Sequence, residues 1–239
     1  AIGGSASPAS RPIKSVSLLL GGVRQAEVIG LSSQNVVTSA ACNAYFGHIL
    51  EMDDVDKESI SHPATVVMPA ALAVGAWNAS SGKDVITSIV AGFEVMLRIG
   101  ASITPEHYKI FHTTATTGIF GASVAAGKIL GLDEKRLLWA LGNAGTLSCG
   151  LWQFLRDGGM SKFMLPDKAF MLPYSREKDF RALLIFSKAN KDFSKATLSK
   201  MLIVTSLRTS LKSGEAETYL LNLIHVAVIR ILQLMLLWT

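Results

Sequence analysis

The sequence predicts an all-α protein, and three observations lead there. Apolar residues make up 49% of the 239 residues and charged residues 17%, enough to bury a sizeable core and unlike a disordered chain. No stretch before residue 165 alternates polar and apolar residues with period two, so strands are not expected. Several helix-length runs mix large apolar residues with Gly, Ala, Ser and Thr, the composition of helices buried on more than one side.

The elements follow in order. Residues 12–31 are mixed and broken at Gly21-Gly22. Residues 36–50 (VVTSAACNAYFGHIL) suit a buried helix in which Ala40, Ala44 and Gly47 allow close packing, and the acidic stretch 51–61 reads as a loop. Pro63 and Pro69 bracket the start of the next helix, whose residues 70–77 are almost wholly apolar, and residues 80–83 (SSGK) form a turn. Asp84 opens the clearest helix, with Ile86, Ile89, Val90, Phe93, Met96, Leu97 and Gly100 at i, i+3, i+4 spacing. HTTATTG (112–118) leads into a small-residue helix that Gly131 ends. Asp133 supplies an N-cap and Glu134 an acidic first turn for a helix through Ala144.

Charge excludes one class of partner. The net charge is +5, but residues 1–165 are close to balanced and most of the surplus Lys and Arg lies in 167–212. No basic face with interleaved aromatics recurs on the main body, so no nucleic-acid surface is expected. Cys42 and Cys149 lie far apart without CxxC spacing, which predicts reduced thiols in a cytoplasmic protein and gives zinc little support. The start at Ala1 lacks a basic n-region and an apolar h-region, so it reads as a processed or partial chain without a secretory signal.

The character changes after Pro166. Residues 170–218 are basic and Ser-rich with weak periodicity, and 219–239 are nearly continuous apolar sequence of membrane-span length. Asn222, His225, Arg230 and Gln233 each weaken a membrane reading, because each costs free energy in lipid. Two regions are therefore expected: 1–169 as a helical domain and 170–239 as a divergent tail.

Four features compete as sites of chemistry. HILEMDDVDKESISHP (48–63) packs five acids, a lysine and two histidines into sixteen residues. Its acids Glu51, Asp53, Asp54, Asp56 and Glu58, with His62, suit a solvated loop, a divalent-metal site or an acid–base site. No matched second cluster supports the metal. His112 precedes a Thr-rich run opening a helix, where backbone N–H groups and hydroxyls hold anions; a lone histidine is otherwise a structural residue. Lys162 follows a Gly-Gly break, and the alternative there is an ordinary surface lysine. GNAGTLSCG (142–150) is neither a Walker nor a dinucleotide motif, and its glycines suit helix packing.

The order of these features is more specific than any one of them. HILEMDDVDKESISHPATVVMPAALAVG, GKDVITSIVAGFEVMLRIG, FHTTATTGIFGASVAAGKILGLD and DGGMSKFMLPDKA together resemble, in sequence, the blocks of the MmgE/PrpD family. That family includes 2-methylcitrate dehydratase, cis-aconitate decarboxylase and iminodisuccinate epimerase. The resemblance runs from about residue 1 to 169. It implies a multihelical domain, an α+β lid from later sequence, and cofactor-free, metal-independent chemistry on small di- or tricarboxylates. A hydro-lyase of the 2-methylcitrate dehydratase type, homodimeric when intact, is the implied activity. Residue by residue it points to His62, His112, Asp53 and Asp54 as catalytic and to Lys162, Thr113 and Thr114 as substrate-binding.

Those residue types suit the chemistry. Dehydrating a hydroxy acid needs a base for the proton α to a carboxylate and an acid for the leaving hydroxyl, and histidines titrate in the useful range. Lys162 and the helix N-terminus after His112 suit substrate carboxylates and enolate-like charge. The Asp-Asp pair is expected to orient and tune neighbours such as His62 or Lys162.

The resemblance stops at the tail. From Phe170 onward the sequence departs from the family, but a one-base shift on back-translating 179–193 and 226–237 permits family-like stretches, so an out-of-frame tail without the lid is expected. Two rival readings follow: a catalytically inactive fragment, and a tail-anchored membrane or interaction protein resting on 219–239.

Overall fold

The computed structural model describes residues 1–103 and 105–164. The expected tail at 170–239, with its apolar run at 219–239, lies outside the described residues. Among the described residues the chain is helical, with isolated bridges in place of strands at Ala26–Gln34, Asp56–Ser61 and Phe111–Leu151. The all-α expectation holds for this part.

The helices run α1 (Ile2–Ala6), α2 (Arg11–Leu20), α3 (Val36–His48), α4 (Ala64–Trp77), α5 (Gly82–Ala101), α6 (Pro105–Tyr108), α7 (Thr113–Ile129), α8 (Glu134–Leu147) and α9 (Gln153–Asp157). α7 is the central rod: every residue from Thr113 to Ile129 except Lys128 is buried. α4, α5 and α8 pack around it, and α3 lies against α4. The main core joins Ala40 of α3, Val66, Val67, Ala70 and Val74 of α4, Met96 of α5, and Ala122, Ala125 and Ala126 of α7. A second cluster joins Val95 to Ile119, Phe120, Val124, Leu137 and Leu141.

A buried helix carrying Thr and Ser has to satisfy their hydroxyls locally. Thr117 Oγ1 donates to the Thr113 carbonyl at 2.8 Å and Ser123 Oγ to the Ile119 carbonyl at 2.6 Å, within the helix itself. Close packing comes from glycine. A Cβ on Gly92 of α5 would stand 2.7 Å from the Gly121 carbonyl oxygen of α7, and one on Gly121 would stand 2.8 Å from the Gly92 oxygen. The two backbones touch there.

Helix ends follow the expected chemistry. Ser81 Oγ accepts from Asp84 N at 3.2 Å and Asp133 Oδ1 accepts from Arg136 N at 2.8 Å, each an N-cap bond. Gly131, at φ 66°, closes α7 with Gly131 N donating to Lys128 O and Leu132 N to Gly127 O, a Schellman pair.

Several boundaries differ from expectation: α5 opens at Gly82 behind the Ser81 N-cap, two residues before Asp84, and α3 ends at His48. Pro63 and Pro69 do flank the start of α4, which begins at Ala64 and takes Pro69 into its interior. The Thr-rich run belongs to α7 itself, and α8 continues past Ala144 to Leu147. On α5 the buried face carries Ser88, Gly92, Val95, Met96 and Gly100, while Ile86 and Val90 stay exposed. Small residues win the interface because they let α5 and α7 meet backbone to backbone.

Candidate active site

The site lies where the C-terminus of α3 meets the N-termini of α4 and α7. His48 is the last residue of α3, His62 stands just ahead of α4, and His112 is the N-cap of α7. Their rings converge: centroids are 5.2 Å apart for His48–His62, and 6.2 Å for both His48–His112 and His62–His112. The His62 and His112 rings stack with an interplanar angle of 23°.

The loop between α3 and α4 places the acids one by one, and they do not act as one cluster. Asp53 is the inward one: its side chain is 6% exposed, and Oδ2 lies 2.6 Å from His48 Nδ1 and 3.7 Å from His62 Nδ1. Burial pushes its carboxyl up, but the His48 hydrogen bond and the charges of His48 and His62 outweigh this and hold it below its ordinary value. Asp54 turns to α4, where both carboxylate oxygens accept from Ala64 N at 3.1 Å. That suits a negative charge at a helix N-terminus. Burial is nevertheless its largest influence and raises it above its ordinary value. Asp56 Oδ2 accepts from Ser59 N at 2.7 Å in a side-chain turn, and bonding to Ser59 lowers its carboxyl. Glu58 remains exposed.

The loop is ordered by its ends. Asp56 and Ser61 pair backbone to backbone, Ser59 and Ser61 are buried and share a hydroxyl contact of 2.6 Å, and Glu51 and Ile60 hold φ of 52° and 49°. Such non-glycine conformations persist only where the surroundings enforce them. The freely solvated alternative is thus set aside for the inward half of the loop.

Segment 148–164 closes over the histidines. His112 N donates to the Gly150 carbonyl at 2.9 Å, and Trp152 N donates to the Ile110 carbonyl at 3.2 Å. Trp152 sets its ring edge to face against His112, with centroids 4.6 Å apart, and Phe154 approaches at 5.8 Å. Burial is the largest cause, with electrostatic contributions from His48, Lys162 and His62 in the same direction, and together they push the His112 imidazole down to about 3. Its Nδ1 has no hydrogen-bond partner. Lys162, in a short 3-10 turn at 160–164, pairs with Glu51, and the next residue, Phe163, packs 6.1 Å from the His48 ring.

The expected residues come together in part. His62, His112, Asp53 and Lys162 surround one place. Thr114 is buried and its hydroxyl accepts from His62 N at 3.0 Å, so it seats the histidine. Thr113 is buried at the start of α7, and its carbonyl accepts from Thr116 and Thr117. Lys162 is tied to Glu51, and neither aspartate of the Asp-Asp pair takes it as a partner. Sequence reasoning missed His48, Trp152 and Phe163. His48 was visible as the first letter of the acid block, five residues before Asp53. Among the described residues, no group of three His, Cys, Asp or Glu side chains is placed to hold a metal ion.

A profile of the MmgE/PrpD N-terminal domain matches residues 1–170. The chain belongs to the MmgE/PrpD family. Cis-aconitate decarboxylase of Aspergillus terreus is 36% identical over 133 residues, which is 53% of this chain and 27% of that protein. The cis-aconitate decarboxylase-like protein oryM of Aspergillus oryzae is 29% identical over 129 residues, 50% of this chain and 27% of the relative. The chain thus spans about a quarter of the length of the curated relatives it matches. Within this MmgE/PrpD domain, no described helix is long and apolar enough to cross a membrane.

Proposed function

We propose that this MmgE/PrpD chain forms the helical wall of a lyase site for a small di- or tricarboxylate. The observation that carries the reading is the stacking of His62 and His112, 6.2 Å apart, at the N-termini of α4 and α7 with Lys162 close by. The N-terminus of α7 and an ammonium favour a polyanion, the first N–H of α4 being taken by Asp54. Two imidazoles within reach of one small molecule supply proton transfer.

The roles divide by environment. His62 is 21% exposed, with Asp53 Oδ2 3.7 Å from its Nδ1, so it is the more accessible imidazole and is assigned the moving proton. His112, held neutral by burial, hydrogen-bonds the substrate without bearing charge. Lys162 meets a substrate carboxylate and exchanges part of its contact with Glu51. In a dehydration, base removes the proton α to a carboxylate, the electron pair forms the double bond, and hydroxide leaves with a proton as water. The enolate-like charge between these events is what Lys162 and the N-terminus of α7 stabilise.

The finer assignment is a hydro-lyase of the 2-methylcitrate dehydratase type. A second reading, cis-aconitate decarboxylation, has a specific observation behind it, because one relative is named cis-aconitate decarboxylase and the other a cis-aconitate decarboxylase-like protein. There a carbon–carbon bond breaks, carbon dioxide leaves, and the electron pair it leaves behind takes a proton. A homodimer is part of the proposal, and exposed Leu72, Ile86 and Val90 suit burial against a second copy. The full chain is incubated with each acid, and unsaturated product or carbon dioxide is measured, with His112→Ala as control. Product from 2-methylcitrate supports the first reading and carbon dioxide from cis-aconitate the second. Turnover of neither by folded protein overturns both in favour of a catalytically inactive fragment.

A further inference from the structure

The lyase reading leaves His48 unused, although it is the most deeply set ring of the three. Its side chain is 0% exposed, its Nδ1 lies 2.6 Å from Asp53 Oδ2, and its Nε2 is buried without a hydrogen-bond partner. An orphaned buried nitrogen is unfavourable for folding, and a side chain present only to fill space there would be apolar.

Hydrogen-bond chemistry fixes the protons. Asp53 is held ionised, and a carboxylate only accepts, so His48 carries its proton on Nδ1. His62 Nδ1 lies 2.8 Å from the Asp54 backbone oxygen, which also only accepts, so His62 too is protonated on Nδ1. The Nε2 of His62 is then the nitrogen that gains and loses a proton. Asp53 Oδ2 sits 3.7 Å from that ring, too far for a hydrogen bond and near enough to favour a positive charge.

We propose that His48 is a positioning residue that anchors the Asp53 carboxylate, keeping it ionised and aimed as the counter-charge to His62. This rests on the lyase reading, in which His62 carries the moving proton. The groups facing Asp53 are His48 at the end of α3, His62 ahead of α4, His112 at the start of α7, and its own neighbour Asp54. His112 is neutral and Asp54 is committed to Ala64 N, so His48 and His62 are the partners that decide the charge of Asp53. Without the Nδ1–H donor, a buried carboxylate has lost its main stabiliser and takes up a proton more readily. The charge opposite His62 then disappears at a pH where the enzyme still needs it.

The test uses the full chain and begins without substrate. Nitrogen-15 imidazole NMR is expected to show the Nδ1–H tautomer at His48 and His62. Carbon-13 carboxyl NMR is expected to show the Asp53 midpoint rising by about one unit or more in His48→Leu. In His48→Asn, whose amide N–H replaces Nδ1–H, the midpoint stays low. In the lyase assay, the acid limb of kcat/KM moves to higher pH by the same amount in His48→Leu and not in His48→Asn, a split that a space-filling role would not produce. An Nε2–H tautomer at His48 overturns the proposal. So does an Asp53 midpoint shared by His48→Leu and the unsubstituted protein. If His48→Leu does not fold, His48→Gln, whose amide reaches the Nε2 position and misses Asp53, takes its place with the same two outcomes. Absence of turnover with the NMR results intact overturns the lyase reading and leaves the pairing of His48 with Asp53 standing.

Discussion

Trp152 meets His112 edge to face, with ring centroids 4.6 Å apart and an angle of 86° between the rings. The contact joins the covering segment 148–164 to the N-cap of the central helix, and it keeps water from the imidazole. Burial is the largest cause of the His112 shift down to about 3. Trp152→Ala therefore lets the His112 midpoint rise toward 6.5, by more than about one unit on a desolvation argument. Imidazole NMR titration of the variant measures it, and an unmoved midpoint removes Trp152 from the account.

The same shift has a consequence for acid stability. The folded-state value for His112 lies below its unfolded value of 6.5, so between about 3 and 6.5 the unfolded chain binds a proton that the folded chain refuses. Stability is therefore lost as pH falls through 6.5, at up to ~1.4 kcal/mol per pH unit from this group. His107, buried against Thr116 and lowered by burial, adds in the same direction. Urea melts at pH 7 and pH 5 check it. His112→Asn is expected to flatten the dependence.

Legibility in the sequence follows the range of the interaction. Asp133, Gly21 and Gly131 mark helix ends through bonds to residues three or four positions away, so they were readable, whereas Ser81 reads as a turn residue and its cap on α5 is missed. The rotation of α5 was not readable, because it depends on Gly92 finding Gly121 across the interface, and a hydropathy pattern weights Ile86 and Val90 instead. Pro69 sits inside α4 although a proline removes a backbone donor, because packing of Val66, Val67, Ala70 and Val74 around it offsets the loss. In the site, His62, His112 and Lys162 were legible from the order of family blocks. His48 and Trp152 were not singled out, because their significance lies in distances to Asp53 and His112.

The α5–α7 contact gives a sharp packing prediction. Gly121→Ala puts a methyl 2.8 Å from the Gly92 carbonyl oxygen and 2.8 Å from Met96 Cβ, where backbone cannot yield cheaply. Overpacking of this kind costs about 1–3 kcal/mol. In a domain of this size that is a fall of several degrees in Tm. Gly82→Ala is the control: it opens α5, nothing lies within 4 Å of the added Cβ, and alanine's better helix propensity makes it neutral or mildly stabilising. Equal melting of the two variants would refute the backbone contact.

Glu51 and Lys162 give the last prediction, because their ion pair is the joint between the acid loop and the covering segment. The lysine side chain is 16% exposed and the glutamate 49%, so the pair is open to solvent on one side and contributes little to folding, about 0–1 kcal/mol. Its worth lies in placement. Glu51→Gln leaves Tm within a few degrees and frees the ammonium to move, which, in the proposed lyase reaction, raises KM more than it lowers kcat. Lys162→Gln removes the charge itself and lowers kcat/KM by roughly 100-fold or more, the scale of losing one group that stabilises developing charge. Lys162→Arg restores the charge without the compact ammonium geometry and recovers only part of the loss. Steady-state kinetics of the three variants beside their melting curves decide the matter: matching losses of stability and activity would make the pair a structural clamp, and unchanged kinetics in Lys162→Gln would remove the lysine from the site.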